Sequence, residues 1–82
     1  MDRAADETQV EAIRQTLLTT PGVLGIHDLR TRKMGDMIAV DTHIEVDGSI
    51  TVKDGHEIAR VARLRVVESH HVISLMAHLD PV

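Results

Sequence analysis

The sequence predicts an α+β fold with its elements in the order α-β-β-α-β. Apolar residues recur at helical spacing in two segments, 6–20 and 51–68, and alternate with polar residues over 37–46. Turns that contain glycine or proline separate these segments. We therefore expect one three-stranded sheet with two helices on one face, which leaves the opposite face of the sheet uncovered.

Each predicted helix begins at a side chain that can cap it. Asp6 starts the first helix, with a glutamine in capping-box spacing, and Pro21 and Gly22 end it. Thr51 can cap the second helix through its hydroxyl, and this helix runs to about Glu68.

The strands are predicted from alternation and from the turns between them. Residues 23–32 form the first strand, although its apolar spacing is irregular, and residues 33–36 form a hairpin turn that contains a glycine. Residues 37–46 show the clearest alternation. The last strand covers 72–79, and Pro81 ends it.

Alternation also assigns the side chains of the last two strands to the two faces of the sheet. The core row of the middle strand is Ile38, Val40, Thr42, Ile44 and Val46. The core row of the last strand is expected at the odd positions Ile73, Leu75, Ala77 and Leu79. The uncovered face then carries Met37, Ala39, Asp41, His43 and Glu45, and Val72, Ser74, Met76, His78 and Asp80.

Histidines and carboxylates thus share the uncovered face, which is typical of a metal site. His43, His78 and Asp80 lie on two different strands, and imidazole with carboxylate suits zinc as well as iron or manganese. The alternative is an ordinary polar surface that binds nothing. The irregular first strand leaves the face of His27 undetermined. His56 lies near a helix N-terminus, which disfavours a charged ring and keeps it able to bind a metal.

The composition of the 82 residues excludes several classes of protein. With no cysteine, the chain forms neither a disulfide nor a thiolate metal site. With no aromatic residue and a formal net charge of −4, it lacks both the stacking platform and the basic surface of nucleic-acid modules. No apolar run approaches the roughly 20 residues of a membrane span. The chain has no nucleophile elbow and no phosphate-binding glycine loop, so we expect no enzyme activity and no nucleic acid as a partner.

The core of such a chain is small, because 43% of the residues are hydrophobic and none is aromatic. Domains of this size are often stabilised by a metal or by a second subunit. Four apolar residues predicted on the uncovered face favour a homodimer through that face. They are Met37, Ala39, Val72 and Met76. Scattered exposure of single apolar side chains is the alternative interpretation.

Five segments of the chain form a pattern of known order and spacing. They are Pro21-Gly22-Val23, His27-Asp28-Leu29-Arg30-Thr31-Arg32 with Gly35, His43-Ile44-Glu45-Val46, Thr51-Val52-Lys53-Asp54-Gly55-His56, and His78-Leu79-Asp80-Pro81. Taken together they resemble the cytosolic C-terminal domain of cation diffusion facilitator (CDF) metal transporters. The resemblance covers residues 8–81, which is nearly the whole chain.

This resemblance implies a metallochaperone-like (ferredoxin-like) domain over residues 8–82 that forms a V-shaped homodimer beneath a membrane. Residues 1–7 would be the linker after a membrane domain, or an added leader. The ligands that the resemblance implies for zinc are His27, His43, His56, His78 and Asp80. Asp41 is a secondary candidate, and His70 and His71 lie outside the set.

The resemblance also implies a function. The chain is expected to be the cytosolic regulatory domain of a divalent metal efflux transporter, at the cytoplasmic face of a membrane and joined to its own transmembrane domain. Zinc would draw the two protomers together and so activate transport. Iron or manganese, as in magnetosome-type members, is the alternative ion. Two other functions remain open: a metal-independent dimerisation module, and a free-standing metallochaperone.

Overall fold

The computed structural model describes residues 6–82, which form two helices and three strands in the predicted order. The elements are α1 (Glu7–Leu18), β1 (Gly25–Met34), β2 (Met37–Val46), α2 (Val52–Ser69) and β3 (Val72–Pro81). The α-β-β-α-β prediction is confirmed. The linker or leader predicted over residues 1–7 lies mostly outside the described residues. Within residues 6–82, no helix is long and apolar enough to cross a membrane.

Both helices begin at the predicted capping residues. Asp6 Oδ1 accepts a 2.9 Å hydrogen bond from the backbone N–H of Gln9, and the Gln9 side chain accepts one from the backbone N–H of Asp6. This reciprocal pair is a capping box. Thr51 Oγ1 accepts a 3.0 Å bond from the Asp54 N–H at the start of α2. The caps satisfy backbone donors that the first turn of a helix leaves unpaired.

The three strands form one mixed sheet in the order β1-β2-β3. β1 pairs antiparallel with β2, and β2 pairs parallel with β3. A parallel pair requires a crossover connection, which α2 supplies by packing back onto the sheet. The core between the helices and the sheet consists of Ile13, Leu17, Ile38, Val40, Ile44, Val46, Ala62, Val66, Val72 and Leu75.

Arg65 of α2 ties the two helices together. Its guanidinium donates to the backbone oxygen of Thr16 at 3.0 Å and to Thr20 Oγ1 at 2.7 Å. A second link joins His70 Nε2 to Thr16 Oγ1 at 2.8 Å. His70 therefore has a structural contact in the helix layer, away from the histidines of the sheet.

Two residues of β3 contradict the predicted alternation. Ile73 is predicted in the core and Val72 on the uncovered face, yet Ile73 is 56% exposed and Val72 only 1%. A β-bulge is the reason. Val72 and Ser74 pair with the consecutive residues Ile38 and Ala39 of β2, so Ile73 is an extra residue that shifts the alternation by one position. Beyond the bulge the predicted alternation is correct.

The hairpin between β1 and β2 is tighter than the predicted turn over residues 33–36. β1 continues to Met34, and the turn consists of Gly35 and Asp36 alone. Gly35 has a φ of +65°, the left-handed conformation that two-residue hairpins favour. β1 also starts two residues later than predicted, at Gly25.

Gly22 and Gly35 both have a left-handed backbone, but only Gly22 is in close contact with another residue. Gly22 has a φ of +89°, and a Cβ there would lie 2.6 Å from Ile58 Cδ1, whereas a Cβ on Gly35 would meet nothing within 4 Å. We expect Gly35→Ala to lower the free energy of unfolding by about 1 kcal/mol through backbone strain alone. Gly22→Ala should lower it by about 2–3 kcal/mol, because it also displaces a side chain packed on the core.

Urea denaturation at one fixed protein concentration, with a metal chelator present, would measure both losses. Equal losses for the two variants would contradict the contact between Gly22 and Ile58.

Candidate metal centre

Three histidines form a row across the sheet, one on each strand. His27 of β1 pairs with His43 of β2, and His43 pairs with His78 of β3. The rings of neighbouring histidines are stacked, with centroids 4.9 Å apart in both pairs and interplanar angles of 20° and 23°. The row lies on the open face, which is the face of the sheet opposite the core residues and the two described helices. The predicted placement of His43 and His78 agrees with this geometry.

One carboxylate oxygen joins two of these rings. Asp80 Oδ2 lies 3.0 Å from His43 Nδ1 and 3.1 Å from His27 Nε2. The three residues each offer a ligand atom, and these atoms all lie within 4.8 Å of one another. Ligands of a tetrahedral zinc ion are roughly 3.3 Å apart, since Zn–N and Zn–O bonds are about 2.0–2.1 Å long. The spacing of His27, His43 and Asp80 therefore suits a small divalent cation.

The other predicted ligands are placed differently. His78 stacks on His43, but it is not one of the three residues whose ligand atoms converge among the described residues. Asp41 lies on the open face one row away, where it pairs with Met76. His56 is an exposed residue in the first turns of α2, on the helix side of the sheet. The structure thus brings together His27, His43 and Asp80 from the predicted set.

A β-bulge in β1 determines the face on which His27 lies. The partners of His27 and Arg30 in β2 are two residues apart, so two residues of β1 oppose a single residue of β2. Asp28, in the bulge, has a left-handed φ of +53°. The fully buried Thr42, opposite the bulge, donates from Oγ1 to the backbone oxygen of His27 at 3.3 Å. The bulge places His27 and Arg30, which strict alternation would separate, on the same face.

Two carboxylates outside the predicted ligand set complete the surroundings. Glu45 Oε2 lies 3.2 Å from His27 Nδ1, so His27 stands between the carboxylates of Glu45 and Asp80. Asp28 Oδ1 accepts a 3.0 Å bond from Arg30 Nε, and this contact holds the pKa of the Asp28 carboxyl below its usual range. Alternation places Glu45 on the correct face, but its approach to His27 depends on the register of β1, which the sequence leaves open.

The centre is open to solvent and to a second molecule. The side chains of His27, His43, Glu45 and Asp80 are between 34% and 49% exposed. Neutral imidazoles beside carboxylates form a donor set that binds zinc and other divalent transition metals. A half-exposed centre of this kind leaves room for water or for a further protein ligand on the ion.

Comparison with known proteins gives consistent relatives. The chain is 35% identical over 82 residues to the cation-efflux pump FieF of Shewanella oneidensis. The matched region covers 100% of this chain and 28% of that protein. It is 38% identical over 82 residues to metal tolerance protein C1 of Arabidopsis thaliana, covering 99% of this chain and 17% of that protein. The chain therefore spans less than a third of the length of these two relatives.

Solved structures with the same fold cover nearly the whole chain. A variant of the MamM CTD in a nickel form superposes with a TM-score of 0.89 at 28% identity, over 94% of this chain and 99% of that one. A variant in a manganese form gives 0.87 at 31% identity, over 93% and 98%. A family model described as "Cation efflux protein, cytoplasmic domain" matches residues 5–82. The chain belongs to this family, the cytoplasmic domain of cation efflux proteins.

Proposed function

We propose that this chain is the metal-sensing regulatory domain of a divalent cation efflux transporter, and that His27, His43 and Asp80 hold the ion. The observation that carries the proposal is the position of Asp80 Oδ2, 3.0 Å and 3.1 Å from one nitrogen of each histidine. A single oxygen shared by two imidazoles on an exposed sheet face provides three ligand atoms without any rearrangement of the backbone.

Zinc is the ion that we propose first, because it accepts mixed imidazole and carboxylate ligands in a tetrahedral geometry. Iron and manganese remain the alternatives, since the same donor set also binds them. Structures of three variants of the related MamM CTD are described as nickel, manganese and cadmium forms, so we keep other divalent metals as candidates beside zinc.

The remaining predicted ligands have places in this proposal. We expect His78, whose ring is stacked on that of His43, to become a further ligand only if its side chain rotates toward the ion. Asp41 lies one row away from the histidines, and we expect it to bind a second ion more weakly. His56 stands on the helix side of the sheet, so we expect it to reach a centre only from a second copy of the chain.

The same open face offers a dimer surface beyond the histidine row. Met34 is 49% exposed, Ile73 56% and Met76 61%. Met34 pairs with the half-buried Met37 across the hairpin. These four residues, the methionine patch, are apolar side chains that lie between the hairpin and the histidine row. A self-complementary contact through this patch would produce a two-fold dimer with the metal centres facing each other.

Metal binding and dimer geometry would then be coupled. An ion neutralises the carboxylate charge between β1, β2 and β3, and a ligand from the second copy can enter only when the two protomers approach. A ligand shifts such an equilibrium by its differential affinity for the closed arrangement. In the full-length transporter, the membrane domain would respond to this closure at the cytoplasmic face.

Removal of a predicted ligand should abolish tight binding. We expect His43→Ala and Asp80→Ala each to weaken zinc binding by more than about 100-fold. Loss of a residue that only hydrogen-bonds to a metal ligand already lowers metal affinity roughly 10–100-fold, and these two residues are themselves the proposed ligands. His71→Ala, which removes an exposed histidine elsewhere, is the matched control. Competition with a chromophoric zinc chelator would measure the affinities. Unchanged affinity in both ligand variants would show that the ion binds elsewhere.

Glu45 should act on the ion through His27. Glu45→Ala is expected to weaken zinc binding by about 10–100-fold, because the His27 ring loses the carboxylate that orients it. Glu45→Gln keeps an acceptor at the same position and should retain most of the affinity. Glu68→Ala, at the far end of α2, removes the same charge as a control. The proposal for Glu45 fails if the Gln and Ala variants bind zinc equally weakly.

The dimer surface can be tested without metal. Met76→Glu introduces a charge into the methionine patch and should shift the protein to monomer, as measured by sedimentation equilibrium. Leu64→Glu changes a 41% exposed apolar residue of α2 and should leave the assembly unchanged. A monomeric wild-type protein at high concentration would argue against the dimer and favour a free-standing metallochaperone.

X-ray scattering with and without zinc separates the remaining functions. We expect zinc to reduce the radius of gyration of the dimer, because the ion draws the protomers together. Identical scattering curves at saturating zinc would favour a metal-independent dimerisation module.

A further inference from the structure

The two histidines that share Asp80 differ at their second ring nitrogen. In the proposed centre, the ion lies among His27 Nε2, His43 Nδ1 and Asp80 Oδ2. The free nitrogen of His27, Nδ1, has Glu45 Oε2 at 3.2 Å. The free nitrogen of His43, Nε2, faces Asp28 Oδ2 at 4.0 Å, which is too long for a hydrogen bond. One ring is therefore anchored by a carboxylate, and the other has a carboxylate near it but not bound.

Arg30 accounts for this gap. Its Nε donates a 3.0 Å hydrogen bond to the other oxygen of the same carboxylate, Asp28 Oδ1. The β1 bulge, with Asp28 at a φ of +53°, places the carboxylate between the guanidinium of Arg30 and the ring of His43. The bond between the guanidinium and the carboxylate is charge-assisted, and Asp28 is bonded to Arg30 and not to His43.

We propose that Arg30 competes with His43 for the Asp28 carboxylate and thereby lowers the metal affinity of the centre. This inference rests on the proposed function and adds a regulation of the same centre. An ion on Nδ1 leaves the ring proton on Nε2 and withdraws electron density from the ring, which makes the Nε2–H a stronger donor. Asp28 then moves from Arg30 to His43 and forms the carboxylate–histidine–metal arrangement that Glu45 already provides for His27.

Arg30 is a positioning residue in this scheme, because it contacts neither the ion nor its ligands. Its side chain is 74% exposed and that of Asp28 is 45% exposed, so the ion pair between them is weak enough for a bound ion to break. The free energy needed to break this ion pair reduces the net free energy of metal binding. A variant that lacks Arg30, and so has no ion pair to break, should therefore bind metal more tightly.

A double-mutant cycle tests the competition. Arg30→Ala should tighten zinc binding by about tenfold, because it releases Asp28 to hydrogen-bond to His43. A carboxylate that orients a metal-binding histidine changes metal affinity by roughly 10–100-fold, and we expect the lower end of that range. Asp28→Ala should weaken it, and the double variant should bind as Asp28→Ala alone does. Arg32→Ala is the matched control: Arg32 lies two residues along the same strand on the same face, opposite Ala39 and one row further from the histidines than Arg30. Its removal should change the affinity by less than about threefold, because screening by salt weakens a charge at this distance.

A spectroscopic measurement follows the hydrogen bond itself. Nitrogen-15 NMR of the zinc-bound wild type should show a His43 Nε2–H that is protected from solvent exchange. Asp28→Ala should remove this protection, whereas Arg30→Ala should retain it.

The possible failures are distinguishable. If Arg30→Ala and Arg32→Ala tighten binding equally, or if the gain from Arg30→Ala persists without Asp28, the effect is general electrostatics and the inference is wrong. In that case zinc still binds the wild type, and the proposed function stands. If the wild type binds no zinc, or if His43→Ala binds as well as the wild type, the proposed function fails and this inference fails with it.

Discussion

The two-faced middle strand is the constraint on which the rest of the structure depends. β2 buries Ile38, Val40, Ile44 and Val46 against the helices, each at most 4% exposed. Because strand alternation has a period of two, this burial forces His43 onto the other face and prevents a slip of one residue in its register. β1 and β3 pair with β2 from either side, so the row of histidines and the shared carboxylate are consequences of how β2 is buried.

Much of the fold could be predicted from the sequence because its signals are local. The caps at Asp6 and Thr51, the helical spacing and the alternation in β2 depend on neighbouring residues only. The bulge at Ile73 could not be predicted in this way. It depends on which residues of β2 lie opposite β3, and a single extra residue exchanges the faces of Val72 and Ile73 without any glycine or proline to indicate it.

Some residues of the candidate centre could likewise be predicted from the sequence, and others could not. His43 and Asp80 were predictable from alternation, since both strands carry a regular pattern around them. His27 required the family resemblance, because the β1 bulge makes its face undeterminable from spacing. Glu45 and Asp28 were missed as partners of the histidines for the same physical reason: their positions follow from the register of β1 and from side-chain hydrogen bonds, which alternation does not describe.

The proposed function requires an ion at the histidine row, and anomalous diffraction can locate that ion. A crystal of the zinc-loaded protein, recorded on both sides of the zinc absorption edge, locates the metal independently of any assumed ligand. We expect an anomalous peak about 2.0–2.1 Å from His27 Nε2, His43 Nδ1 and Asp80 Oδ2. A stoichiometric zinc peak at His70 or His71, with none on the open face of the sheet, would contradict it.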